Sequence, residues 1–127
     1  MKHVALIACS NRKLSHSASA LELYRGERFL LSRAWAEKRE LPILILSAKH
    51  GLVTPSEIVE PYDESLTNKT GAEIDAWARK IACGISDTEV VVLAEEQYAL
   101  PLQKYIPNAT YPLLGMTEEE QKKFLMS

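Results

Sequence analysis

Long apolar runs are what this sequence most conspicuously lacks. A membrane-spanning helix needs roughly 18 consecutive apolar residues, and stretches such as Val4 to Ala8 or Val90 to Ala94 are only strand-length. Cysteine is equally scarce: Cys9 and Cys83 stand in unrelated contexts and set up no disulfide framework. The histidines His3, His16 and His50 are scattered, and with two distant cysteines they offer no metal-ligand spacing. An excess of one charge is missing too, since the net charge of −2 argues against a protein that coats nucleic-acid phosphate over a large surface. G-x-G-x-x-G, Walker A, H-E-x-x-H and paired C-x-x-C patterns are all absent, so neither a cofactor nor a metal is expected. Met1-Lys2-His3 leads straight into a strand-like run with no small-residue cleavage site, which fits a cytoplasmic protein without membrane contact.

What is present suits one domain over residues 1–127, long enough for a real core. Val4 to Ala8 reads as a first buried strand with a polar tip at Cys9-Ser10-Asn11, followed by a serine-rich loop from Arg12 to Ala20. Leu23-Tyr24 suits a short turn, and Gly26 separates it from a helix that begins near Glu27 and runs to Lys38. Ile43 to Ser47 is the second strand, with Pro42 tolerated at its start. Gly51 to Thr70 reads as a long connection with a helical turn near Pro55 to Val59. Thr70 and Glu73 form a capping box for a helix whose apolar face runs through Ile74, Trp77, Ala78, Ile81 and Ile85. Glu89 to Ala94 is a third strand, Gln97 to Tyr105 a short helix, and Ala109 to Leu114 a weaker fourth strand. Thr117 and Glu120 cap a terminal helix that reaches about Met126. The expected architecture is therefore α/β: a single three-layer domain with a mainly parallel four-stranded sheet and helices on both faces.

Parallel strands gather their carboxyl ends on one edge, where open α/β sheets bind ligands. Here those tips carry Cys9-Ser10-Asn11, Ser47-Lys49-His50 and Glu95-Glu96, while the opposite ends are poorer in chemistry. Cys9 reads either as a nucleophile or as a small buried residue. Ser10 and Asn11 suit an anion or a base edge, or else an ordinary turn. Lys13, beside Arg12, and Lys49 are candidate phosphate contacts, or solvated loop charges. His50 has the titration range for acid–base work, and Asp63 is a carboxylate able to orient it or to act alone. The other readings are a histidine bonded within its own turn and a Pro61-Tyr62-Asp63 segment that anchors the loop.

Leu46-Ser47-Ala48-Lys49-His50-Gly51-Leu52, followed by Pro55 and by Ile58-Val59-Glu60-Pro61-Tyr62, resembles the LSxxYGLLxPxDxIxPYR block of the YaaA-type peroxide-stress family. Tyr24-Arg25-Gly26-Glu27-Arg28-Phe29 is similar to that family's Y-x-G-x-x-[YF] segment. The Cys9-Ser10-Asn11-Arg12-Lys13 opening resembles the base-modifying module of archaeosine synthase, which has a uracil-DNA-glycosylase-like fold. His50 and Asp63 depart from the YaaA-type pattern, which has tyrosine and arginine there. The resemblance implies a role around nucleobases or DNA. By position it implies a pocket of Ser10, Lys13, Tyr24, Ser47, Lys49, His50, Pro61, Tyr62 and Asp63.

Together these lines lead to an expected partner that is a nucleobase, a nucleotide or nucleic acid, and an expected reaction at an N-glycosidic bond. In that picture Tyr62 stacks on the base, Ser10 and Asn11 read its edge, and Lys13 or Lys49 contacts phosphate. His50 or Asp63 positions water or stabilises oxocarbenium-like charge. The alternative is a stress-linked module that binds nucleic acid or senses a nucleotide without turnover. Sequence leaves the oligomeric state open.

Overall fold

The apolar strand segments find their places through the two-residue alternation of a sheet that is covered on both sides. A computed structural model describes residues 3–10, 12–85 and 89–127. In chain order the elements are β1 (His3–Ala8), β2 (Ala18–Ser19), α1 (Ala20–Leu23), α2 (Glu27–Lys38), β3 (Ile43–Ser47), β4 (Gly51–Val53), β5 (Ile58–Val59), α3 (Gly71–Gly84), β6 (Glu89–Leu93), α4 (Glu96–Gln103) and α5 (Glu118–Leu125), with a 3-10 turn at Leu66–Asn68. The main sheet has the order β4-β3-β1-β6. β1 lies parallel to both neighbours, with Ala5 opposite Ile43 on one side and Val91 on the other.

Val4 and Leu6 of β1, Leu46 of β3 and Val90 and Val92 of β6 pack with Trp77, Ala78 and Ile81 of α3 and Ala99 and Leu102 of α4. The intervening residues Ala5, Ile7, Ile45 and Leu93 face the other way, against Leu23 of α1, Phe29 and Trp35 of α2 and Leu125 of α5. Leu6, Ile7 and Ile45 are wholly buried, each side chain worth about 1.5–3 kcal/mol of burial. The helices thus cover both faces, as expected. The Thr70–Glu73 and Thr117–Glu120 capping boxes both form and set the starts of α3 and α5. Among the described residues, no helix is long and apolar enough to cross a membrane.

The sheet is mixed rather than simply parallel, because its fourth strand is not the expected one. Gly51–Val53 turns back as β4 and pairs antiparallel with β3, Ser47 opposite Gly51. Ala48, Lys49 and His50 form the intervening hairpin turn, closed by Gly51 at φ 76°, where a glycine is unstrained. The expected strand at Ala109 to Leu114 shrinks to a single parallel bridge, Thr110 to Val91. Pro112 follows two residues later and has no N–H with which to extend the ladder. Two smaller corrections concern the loops. Pro55 to Val59 is a turn leading into β5, not a helical turn, and β5 pairs antiparallel with β2, inside the segment read as a plain loop. Lys13 and Tyr24 also form an antiparallel bridge there.

Candidate functional site

The carboxyl-terminal ends of β1, β3 and β6 lie on one sheet edge, as parallel pairing requires. Two neighbourhoods occupy that edge. The first is built on Ser47, the last residue of β3, which is fully buried. Its Oγ accepts the backbone N–H groups of Lys49 at 3.2 Å and His50 at 3.0 Å, which pins the hairpin turn. Its backbone carbonyl accepts the indole N–H of Trp77 at 2.8 Å, tying the tip to α3. The Ser47 hydroxyl also lies 2.6 Å from the Tyr62 hydroxyl, which in turn lies 2.6 Å from that of Tyr24.

Donor counting gives this line a direction. A serine oxygen has two lone pairs, and both are taken by the turn N–H groups, so Ser47 donates to Tyr62 and Tyr62 donates to Tyr24. The Tyr24 proton has no acceptor among the described residues. Burial raises the Tyr24 hydroxyl pKa and pushes that of Tyr62 well above the ordinary tyrosine range, with Cys9 nearby adding to both, so both stay protonated. The Lys13 ammonium lies 4.4 Å from the centre of the Tyr62 ring and 5.7 Å from that of Tyr24. Burial lowers the Lys13 pKa below its usual value, partly offset by the nearby Cys9 and Asp63.

The second neighbourhood is a cleft of about 300 Å³ between the tips of β1 and β6, lined in part by Cys9, Ser10, Arg12, Arg28, Ser32 and Tyr98. The Cys9 thiol is 3.4 Å from the Tyr98 hydroxyl, whose ionisation is suppressed chiefly by burial. Ser10 accepts the Gly26 N–H at 3.1 Å and donates to the Arg12 carbonyl at 2.7 Å. Here glycine is a spatial necessity: a Cβ on Gly26 would sit 2.6 Å from the Cβ of Ser10. As the N-cap of α2, Gly26 supplies no side-chain cap, and Glu95 at α4 makes none either. Arg28 pairs with Glu95 at 3.2 Å, and Lys122 with Glu27 at 3.3 Å. Glu118 also lines the cleft.

The structure therefore brings Lys13, Tyr24, Ser47 and Tyr62 together, and places Cys9 and Ser10 in the adjoining cleft. Ser10 spends both bonds on the turn, so a turn-fixing role accounts for it locally. Asn11 lies outside the described residues. His50 and Lys49 are exposed on the hairpin turn; the His50 ring meets Tyr62 edge-on at 5.3 Å, and the Lys49 ammonium is 5.8 Å from the Tyr62 ring centre. Asp63 is exposed, and among the described residues no side-chain hydrogen bond joins it to His50. Tyr62 is no free stacking plate, because an ammonium already lies against its ring. Sequence reasoning passed over Ser32, Arg28 and Tyr98, which sit inside helices that read as packing or solvated faces. Among the described residues, no group of three or more His, Cys, Asp or Glu side chains is arranged to hold a metal ion.

The chain belongs to DUF6884, a family of unknown function, which it matches over residues 4–127. No curated protein and no solved structure matches it.

Proposed function

We propose that this chain is a small enzyme that processes a nucleobase, a nucleotide or modified nucleic acid, acting at an N-glycosidic bond. The observation that carries the reading is the oriented hydroxyl line Ser47–Tyr62–Tyr24 with the Lys13 ammonium set against it, on the same edge as the polar cleft. Ser47 and Tyr24 are wholly buried, so the line acts from beneath: it fixes the half-buried Tyr62 and Lys13 at the edge where a base would sit. Hydrolysis breaks the bond between the sugar carbon and the base nitrogen; water supplies hydroxyl to the carbon and a proton reaches the nitrogen. Lys13, whose proton burial loosens, suits the delivery of that proton. The Asp63 carboxylate, close enough to Lys13 to act on its charge, suits the oxocarbenium-like charge, and His50, exposed beside the Tyr62 ring, suits holding water. The resemblance of the Leu46–Leu52 and Tyr24–Phe29 segments to YaaA-type and archaeosine-synthase sequences supports the same substrate class.

The test is chromatographic detection of free base from a panel of nucleosides, nucleotides and modified DNA, with wild type and the Lys13→Ala, Asp63→Ala and His50→Ala variants. Base release by wild type, reduced roughly 10²–10⁴-fold in Lys13→Ala or Asp63→Ala, is the expected result. No release from any substrate, or release untouched by all three changes, sinks the reading. A second reading, binding or sensing without turnover, is favoured by the missing hydrogen bond between His50 and Asp63. It predicts saturable binding with no product in the same assay.

A further inference from the structure

We propose that the cleft between the N-termini of α2 and α4 is an oxyanion site, built to take the terminal phosphate of a phosphate monoester. α2 is a twelve-residue helix capped by a glycine; its first intrahelical bond runs from the Leu30 N–H to the Gly26 carbonyl, and no side chain caps the N–H groups of Glu27, Arg28 and Phe29. α4 likewise has no side-chain cap, and its first turn closes only at the Tyr98 and Ala99 N–H groups, both on the Glu95 carbonyl. Both ends line the same cleft. Uncapped N–H groups at a helix start, with the helix dipole behind them, favour an anion.

Ser32 is an independent pointer to a ligand. Its side chain is fully buried and its Oγ has no hydrogen-bond partner, yet it lines this cleft. The two other buried side-chain atoms in that condition among the described residues, Trp35 Nε1 and Gln121 Oε1, belong to residues that do not line it. A buried hydroxyl without a partner is unfavourable, and a ligand oxygen at the cleft floor removes that penalty. The Arg28 and Lys122 charges are matched by Glu95 and Glu27. That leaves Arg12 at the rim and Glu118 of α5 as the lining charges without an ion pair among the described residues, and of the two Arg12 is the one that attracts an anion. Its position is set by its own carbonyl, which accepts from the Ser10 hydroxyl and the Arg25 N–H, so its guanidinium is left for a ligand.

The donor set favours a monoester over a backbone diester. Backbone N–H groups from two helices, a buried hydroxyl and a guanidinium outnumber the two free oxygens of a diester, while a monoester offers three and nearly two negative charges. A buried floor also suits a group at the end of a molecule, not one in the middle of a strand. That the phosphate belongs to a nucleotide rests on the function proposed above; the oxyanion site itself stands on the cleft.

The experiment is a ¹H–¹⁵N NMR titration of the full chain with inorganic phosphate, with nucleoside 5′-monophosphates, and with a single-stranded oligonucleotide lacking terminal phosphates. Saturable shifts at the Arg28, Phe29 and Gln97 amides are expected with phosphate and the monophosphates, weakened about tenfold by Arg12→Ala and several-fold by Ser32→Ala. Arg12 is exposed, so its variant keeps the fold. Absence of those shifts, or affinity unchanged in Arg12→Ala, overturns the site; equal or tighter binding of the oligonucleotide overturns the assignment to a terminal phosphate. If inorganic phosphate saturates the site and no monophosphate binds more tightly, the oxyanion site stands and the nucleotide reading falls.

Discussion

At the tip of β3, hydroxyls from Ser47, Tyr62 and Tyr24 are joined at 2.6 Å each, with two turn N–H groups and the Trp77 indole bonded to the same serine. A short way along the edge, at the tips of β1 and β6, the buried Ser32 hydroxyl has no partner and the helices α2 and α4 start without side-chain caps. The same chain caps α3 and α5 each with a threonine and a glutamate, and the first residue of α5, Glu118, reaches the cleft as well. The sequence thus contains the means to close a helix start and does not use them at α2 and α4. A knitted hydroxyl cluster holds its shape before a ligand arrives, and unsatisfied donors beside it define where one binds.

The largest effect comes from alkali, which acts on the buried tyrosines of the knitted side and on two others, Tyr98 at the cleft and Tyr111. Tyr24, Tyr62 and Tyr98 have their hydroxyl pKa values raised, burial being the largest cause in each, and burial also pushes Tyr111 up to about 12. For such groups the unfolded chain loses its protons first, near the ordinary value of about 10. Their contribution is therefore complete below pH 10 and drains away as pH climbs through the folded-state values. Lys13, with its pKa lowered, acts in the opposite sense: the unfolded state holds its proton longer, so this one group favours folding more as pH rises toward 10.5. Four tyrosines against one lysine predict a steep loss of stability between about pH 10 and pH 12. Denaturant midpoints should fall across that window; a Tyr24 or Tyr62 ring that ionises at about pH 10 without loss of fold, read from site-resolved NMR shifts, would show the cluster to be open to solvent.

A smaller cut is Tyr62→Phe, which keeps the ring against Lys13 and removes only the central hydroxyl. Ser47 loses its acceptor and Tyr24 its donor, so a loss of about 1–3 kcal/mol is expected by urea denaturation. A change below about 0.5 kcal/mol, the range of an indifferent surface substitution, would mean that the line contributes little to the fold.

How far this edge could be read from residues alone depends on the range of the forces involved. The α3 and α5 starts were legible because a capping box is local, Thr and Glu three positions apart. β1, β3 and β6 were legible because buried parallel strands are continuous apolar runs. β4 was not, since Gly51-Leu52-Val53 is too short to show a period, and its pairing comes from the turn that precedes it. Within the site, the residues chosen for their place at strand tips, Cys9, Ser10 and Ser47, do lie on the edge, and Tyr24 and Tyr62 join Ser47. Which of them touch was beyond the sequence, because Tyr62 reaches Ser47 across a loop and Tyr24 across the sheet edge. Ser32 was invisible for the plainest reason: a serine in mid-helix reads as a solvated position, and only the packing of α2 buries it.

The finest test of the contrast is Ser32→Ala. Where a serine hydroxyl is bonded in the interior, its removal costs about 1 kcal/mol; where it is buried and unbonded, removal relieves a penalty of about that size. Alanine also carries a helix propensity advantage of roughly 0.5 kcal/mol. The variant is therefore expected to raise stability by about 1–1.5 kcal/mol in ligand-free buffer, while phosphate binding weakens. The opposite signs are the point: a residue that loosens the fold and tightens a ligand is placed for the ligand. Loss of stability by more than about 1 kcal/mol would mean that Ser32 has a partner in solution, and its hydroxyl would no longer mark the cleft as a place for a ligand.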